Sequence, residues 1–363
     1  MNSAIPRIGY VPYSASLAAP GDRRRFVAYA RARNLPFELA RPDEQYDVVV
    51  LSELADISVW ADYPYGKVVY DLIDSYLSIQ RTDIKQLLRG PVWFATGRHR
   101  RMRFDYRATI QEMCRRADAV ICTTEDQEGV IADLCPNVHI VLDIHDTVIR
   151  TIKQDYRATH PFNLVWEGLP SNIPQLHAIR PVLKMLARRR PVVLNVVSDL
   201  DRPRMLGRFG RIDSVDVLRS IFENVRMHRW EETTCSLIIS ACDIAIIPID
   251  LEDPFTAGKP ENKLLLLWRM GMPVVTSATP SYSRAMAGAG LPHLGCREPS
   301  EWLTVLERLM SNEEERRDAG ERGRAFAESN WSRNTLVRRW DAVFASLGSN
   351  FTSFVQSMSP SQH

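Results

Sequence analysis

Short apolar runs that end in a polar residue or glycine alternate along this chain with longer stretches of helical period. In the first half the runs are 7–13, 47–51, 67–71, 119–123 and 139–142, and their apolar cores are nearly continuous instead of alternating. That pattern marks strands buried on both faces of a parallel sheet. The stretches 23–33 and 105–116 between them carry helical spacing, and strand–helix–strand units with short crossovers predict a parallel sheet.

The second half repeats the theme. Strands are expected at 162–166, 192–197, 224–228, 243–248 and 273–276, with helices at 174–188, 231–241, 262–270, 281–289, 301–310 and 333–347. The polar stretch 154–161 ends in Pro161 just before the new strand series. The expected division is therefore 1–158 for a first Rossmann-like domain, 159–332 for a second and 333–347 for a last helix. The Ser-rich remainder, 348–363, is expected to be disordered. Doubly wound sheets bind ligands at the carboxyl ends of their strands, so two in tandem predict a cleft.

The chain has 363 residues, too long for one ordinary core and suited to two α/β domains of roughly 150–180 residues. Hydrophobic residues make up 45% and charged residues 25%, the balance of a globular protein and not of a fibrous or disordered one. A net charge of +2 gives no support to general polyanion binding by overall charge. The six cysteines are scattered without a CxxC pair, which argues for a reducing compartment and against a zinc site; no metal or other cofactor is expected. The amino terminus shows no signal peptide, and no run reaches the roughly 18–20 apolar residues of a membrane span, so a cytoplasmic location is expected.

The stretch 243–277 reads DIAIIPIDLEDPFTAGKPENKLLLLWRMGMPVVTS. A buried strand runs into a polar loop, and a helix starts near 260–263, where proline suits the first turn. The free N–H groups and positive dipole end of such a helix favour an anion. Thr256, Lys259 and Lys263 fall at that end and would form a diphosphate cradle. The bland alternative is a solvated helix start with two surface lysines.

Asn262-Lys263-Leu264-Leu265, followed by Gly271-Met272-Pro273-Val274-Val275, resembles the donor-site helix of GT-B glycosyltransferases, above all the family 4-like enzymes of bacterial surface polysaccharide synthesis. Leu266 stands where those enzymes usually carry a ribose-binding Glu, and Glu261 lies one turn earlier. Phe162 to Gly168 resembles the strand and glycine that open the donor domain of the same family, where the backbone approaches the donor. Arg202 and Arg204 would take the place of the usual basic pair, and Trp230 falls where the nucleobase is usually contacted. The resemblance covers about residues 160–345 and is topological only before that. It implies two Rossmann-like doubly wound domains facing a cleft, with helix 333–347 crossing back to the first domain through Leu336, Trp340, Val343, Phe344 and Leu347. The implied activity is transfer of a sugar from a nucleotide-sugar donor to a lipid-linked or glycan acceptor. An epimerase-type enzyme on the same scaffold, or an inactive nucleotide-sugar-binding subunit, is the alternative.

In the first half, Asp22 opens a helix after the first strand, beside Arg23, Arg24 and Arg25, and Asp74 follows the strand 67–71. Either acid would serve as catalytic base; helix capping is the competing role for Asp22 and loop capping for Asp74. The stretch 87–107 interleaves Trp93, Phe94, Met102 and Phe104 with Arg98, Arg100, Arg101 and Arg103, which suits an anionic membrane surface or nucleic acid. A solvated basic face over an ordinary core is the bland alternative. The resemblance implies the membrane, where a lipid-linked acceptor is presented. The expected location is thus peripheral, on the inner face of the membrane, with no nucleic-acid partner.

Overall fold

The computed structural model describes residues 6–78, 84–203 and 211–358. The chain forms two compact units: Met1–Ile144 with Arg333–His363, and His145–Ser332.

The first unit is built on strands β1 (Ile8–Val11), β2 (Glu38–Leu39), β3 (Val48–Ser52), β4 (Lys67–Asp71), β5 (Ala119–Cys122) and β6 (Val138–Ile140). They form one sheet in the order β2-β1-β3-β4-β5-β6, parallel throughout. Every residue of β3 and β5 is buried, which is why their sequences show no alternation. The helices are α1 (Pro20–Arg24), α2 (Phe26–Arg33), α3 (Ile57–Trp60), α4 (Ile84–Ala95), α5 (Tyr106–Arg116) and α6 (Glu125–Ala132). The single helix expected over 23–33 is broken at Arg25, whose backbone leaves helical geometry at φ −122°, ψ −118°. The break accompanies an inward-turned side chain: the buried guanidinium donates to both oxygens of Asp71, at 2.7 and 2.5 Å, and to the Val141 carbonyl at 3.0 Å.

The second unit holds β7 (Phe162–Glu167), β8 (Val192–Ser198), β9 (Asp201–Pro203), β10 (Arg211–Asp213), β11 (Val225–Arg229), β12 (Ile244–Ile247), β13 (Val274–Ser277) and β14 (Gly295–Cys296). Its main sheet runs β11-β8-β7-β12-β13-β14, again parallel, while β9 and β10 form an antiparallel ribbon. Its helices are α7 (Arg180–Arg189), α8 (Ser214–Ile221), α9 (Cys235–Ser240), α10 (Pro254–Ala257), α11 (Asn262–Arg269), α12 (Pro280–Gly288), α13 (Pro299–Ser311) and α14 (Glu313–Trp331). The helix expected over 174–188 is instead a 3₁₀ stretch, Pro170–Ile179, followed by α7. Pro174 inside that stretch and Pro181 at its junction with α7 remove amide donors an α-helix would use.

The polar stretch expected to separate the units packs within the second one. Lys153 donates its N–H to the Met270 carbonyl at 2.9 Å and its ammonium to the Cys242 carbonyl at 2.7 Å, and the Tyr156 hydroxyl reaches the Gly271 carbonyl at 2.9 Å. The last helices, α15 (Arg333–Ala345) and α16 (Ser349–Met358), return to the first unit. Trp340 and Phe344 stack on Tyr29, each at 5.5 Å, and Arg339 donates to the Ile140 carbonyl at 2.9 Å. Residues 349–358, expected to be disordered from their serine content, are helical, with Phe354 and Val355 buried. All six cysteines are buried free thiols. Among the described residues no helix is long and apolar enough to cross a membrane.

Candidate functional site

In the second sheet the chain steps from β7 outward to β8 and later returns to the other side of β7 as β12. The carboxyl ends of β7 and β12 are thus the point where strand order reverses, the place where open α/β sheets bind ligands. Two loops meet there. The β7 loop begins at Gly168, and the loop after β12 leads through α10 to the first turn of α11.

Gly168 and Lys263, far apart in sequence, are in contact: a Cβ added at Gly168 would lie 2.7 Å from the Lys263 ammonium nitrogen and 3.0 Å from the Trp166 indole. The ammonium sits 4.6 Å from the centre of that indole, in a cation–π contact. Glu261, at the amino cap of α11, makes no side-chain hydrogen bond to the helix. Asn262 and Lys263 are half-buried, whereas Leu264 to Arg269 are buried. Only the first turn of α11 therefore faces the strand-end region. Leu266, at the position where the resemblance expects a carboxylate, is 1% exposed and belongs to the core.

Lys259 bridges the two loops, donating to the Asn172 side chain at 3.3 Å, while its carbonyl accepts from Ser281 at 2.6 Å. Thr256 is turned into its own loop, its hydroxyl donating to the carbonyls of Asp250 and Asp253 at 3.0 and 3.2 Å. That geometry closes the turn and corrects the expectation of a hydroxyl aimed at a ligand. Trp230 follows β11 at the same edge, anchored by its N–H on the Ser198 carbonyl at 2.9 Å, and is half-buried. Arg204 lies outside the described residues, as does the side chain of Arg202.

Sequence reasoning missed Asn172, Glu167, Ser281 and Tyr282. Glu167 is the buried last residue of β7. Tyr282 lies in the first turn of α12, and burial, then the negative charges of Glu261 and Glu167, push its hydroxyl well above the usual phenol range. The signal for Ser281 and Tyr282 was Thr279-Pro280-Ser281 after β13, a strand end followed by a capped helix start, in which Thr279 accepts from the Tyr282 N–H at 3.3 Å.

In the first unit, Asp22 is fully buried and both its oxygens are engaged. They accept from the Tyr10 hydroxyl at 2.8 Å, the N–H groups of Tyr13 and Ser14 at 2.9 and 3.0 Å, and the Ser14 hydroxyl at 3.0 Å. Asp22 thus ties down the turn after β1, which leaves it poorly suited to move a proton. Asp74, half-buried beyond the end of β4, donates its N–H to Glu53 at 2.7 Å. Glu53 was also missed: a single acid after a strand carries no pattern of its own. It is buried at the carboxyl end of β3, and desolvation, then the charge of Asp74, hold its carboxyl well above the usual range.

The arginine-rich stretch divides. Arg101 pairs with Asp62 and Arg103 with Glu112 at 3.3 Å, whereas the Arg98 and Arg100 side chains are exposed, Arg98 lying 5.7 Å from the Trp93 ring. Val92, Phe94 and Met102 are exposed beside them, and Phe104 is 73% exposed. Among the described residues no group of three or more His, Cys, Asp or Glu is placed to hold a metal ion.

No protein-family model matches the chain, and no curated protein matches it in sequence. Among solved structures it is similar to TarM, with 9% identity and a TM-score of 0.55 over 83% of this chain and 55% of that one. A mutant of S. aureus TarM in complex with fondaparinux, alpha-GlcNAc-glycerol and UDP matches at 8% identity and a TM-score of 0.54, with the same coverage. A mutant of Thermobaculum terrenum O-GlcNAc transferase matches at 13% identity and 0.56, over 98% of this chain and 69% of that one. The chain spans about half the length of TarM. At these identities the likeness is one of fold, and the fold is the paired parallel α/β architecture of the GT-B glycosyltransferases.

Proposed function

We propose that the chain is a glycosyltransferase that moves a sugar from a nucleotide-sugar to an acceptor hydroxyl. The observation that carries this reading is the contact of Gly168 with Lys263 where strand order reverses in the second sheet. A glycine leaves room for phosphate oxygens against the backbone, and Lys263, Lys259 and the first turn of α11 supply positive charge beside it. In the reaction the acceptor oxygen bonds to the anomeric carbon, the bond to the phosphate oxygen breaks, and the leaving group keeps the electron pair. The ammonium groups stabilise that developing charge. Asp74 is the acceptor-side group proposed to take the proton. Glu261, Asn262 and Trp230 would contact the nucleoside. That a solved structure of this fold holds UDP supports the donor class.

A thermal-shift screen against nucleoside diphosphates tests the reading. A nucleotide at a hundred times its Kd stabilises the fold by about 2.7 kcal/mol, a shift of several degrees. Lys263→Ala should abolish the shift while lowering the ligand-free Tm by no more than a few degrees, since a half-buried cation–π contact is worth about 0.5–2 kcal/mol. A full nucleotide panel without effect on the wild-type protein sinks the proposal.

For the acceptor we propose a lipid-linked or glycan molecule of surface polysaccharide synthesis, such as lipopolysaccharide or capsule, met at the inner face of the membrane. Exposed Phe94, Met102 and Phe104 in the same stretch as the exposed cations Arg98 and Arg100 support this. Changing Arg98 and Arg100 to Glu should release the protein from anionic vesicles, each charge being worth about 1 kcal/mol near such a surface. Wild-type protein that stays in solution with these vesicles at low salt removes the membrane part of the reading.

A further inference from the structure

A second cluster of cations lies elsewhere on the second unit. A polar cavity of about 440 Å³ is lined by Arg180, Lys184 and Arg188 of α7, by Arg219 of α8 and by Phe222, Glu223 and Asn224 ahead of β11. These elements lead into the amino ends of β8 and β11, whereas the Gly168–Lys263 contact stands at the carboxyl end of the sheet.

Arg180, Lys184 and Arg188 recur every four residues and so stack along one face of α7, with Arg219 facing the same cavity. All four are exposed, and among the described residues none makes an ion pair, a hydrogen bond or a ring contact. Their neighbours behave otherwise. Arg189 pairs with Glu307, and Arg190 donates to the Met310 carbonyl at 3.1 Å. Arginines across the chain find carboxylates in the same way, among them Arg308, Arg317, Arg322 and Arg324.

Helix electrostatics explain only part of the cluster. Arg188 and Arg219 stand in last turns, where the dipole favours a cation. Arg180 stands where the 3₁₀ stretch runs into α7, so that no helix end favours a cation there, and Lys184 sits mid-helix between two like charges. Like charges at this spacing destabilise a helix, and Glu223 is the single acid among the lining residues. An arrangement that works against its own helix calls for a counter-charge from outside.

We propose that this cavity binds a linear phosphate polyanion. Three cations one helical turn apart span about 12 Å along α7, which suits several charges in a row better than a single phosphate. The volume is that of a small-molecule site, and its concavity favours a soluble anion over the headgroups of a flat bilayer. The site is independent of the donor reading, since no residue is shared with it.

Calorimetric titration of the full chain with inorganic tripolyphosphate at low salt, monitored in parallel by thermal shift, tests the site. The triple variant Arg180→Gln/Lys184→Gln/Arg188→Gln should bind at least tenfold more weakly. Its ligand-free Tm should stay level or rise, because like-charge repulsion is relieved. Lys263→Ala, in which any phosphate binding by the donor residues is lost, should retain the tripolyphosphate binding that the triple variant loses, which separates this cavity from the donor residues. Equal affinity in the triple variant and the wild type overturns the proposal, as does loss of binding in Lys263→Ala alone. Flotation with phosphatidylglycerol vesicles that depends on these three residues, without tripolyphosphate binding, identifies a lipid surface instead and also overturns it.

Discussion

Glu53 and Asp74 stand at neighbouring strand ends, joined by the 2.7 Å bond from the Asp74 N–H, and the carboxyl of Glu53 is buried. A carboxyl whose folded-state pKa lies above its ordinary value of 4.5 supports folding most below that value. That contribution is lost as pH rises toward the folded-state pKa, because the unfolded chain ionises first. Glu53→Gln keeps an acceptor for the Asp74 N–H and removes the ionisation. Its Tm should match the wild type near pH 4 and exceed it by a few degrees near pH 8. Parallel pH profiles of the two proteins would show that Glu53 titrates normally. Gly168 offers the opposite kind of test. A methyl there meets the mobile end of Lys263 but also the edge of the buried Trp166 indole at 3.0 Å, and no left-handed backbone is involved, so Gly168→Ala should lower Tm by a few degrees without unfolding the unit. The displaced ammonium should still weaken nucleotide binding about tenfold or more; a variant with wild-type affinity removes Gly168 from the site.

At the scale of elements, α11 was legible because two punctuation marks bracket it. Pro260 precedes its first turn, and Gly271, at φ 73°, ends it while the Met272 N–H returns to the Leu267 carbonyl at 3.1 Å. Periodicity could not show which face of α11 is buried. α11 is buried all round from Leu264 to Arg269 because it lies against the sheet and also against α14, a helix the pattern did not predict because charged residues occupy most of its length. The contact is made by Gly320 and Gly323, which bring the α14 backbone against Gly271 and Trp268. A side chain at 323 has no room, since its Cβ would overlap the Trp268 indole. Gly323→Val should therefore destabilise the second unit by about 1–3 kcal/mol or more, the range for overpacking a core. Denaturant titration checks this, and an unchanged midpoint would mean that α11 and α14 are not locked together. The break at Arg25 was illegible for a similar reason: its partner Asp71 lies 46 residues away in sequence, and local pattern carries no trace of such a pairing.

For the molecule as a whole, the two parallel sheets were legible from continuous apolar runs, but the chain's path was only half so. The apolar spacing of 333–347 marks a helix with a buried face; which sheet it covers is a matter of tertiary complementarity. In the structure Leu336, Val337, Trp340, Val343 and Phe344 are buried and the helix completes the first unit, so that unit is discontinuous in sequence. Fully burying a large apolar side chain contributes about 1.5–3 kcal/mol. Five of them supply about 7–15 kcal/mol, as much as the roughly 5–15 kcal/mol of net stability of an entire domain. Removing residues 333–363 exposes Phe26 and Tyr29 as well, since Trp340 and Phe344 cover them. The truncated chain should therefore lose amide-exchange protection across α2 and the first sheet. The second unit keeps its own core and all its proposed donor residues, so it should still bind nucleotide with a Kd within about twofold of the full chain. Exchange mass spectrometry with and without nucleotide separates the outcomes. Protection retained in the first sheet, or lost equally in both units, would show that α15 does not hold the first unit together.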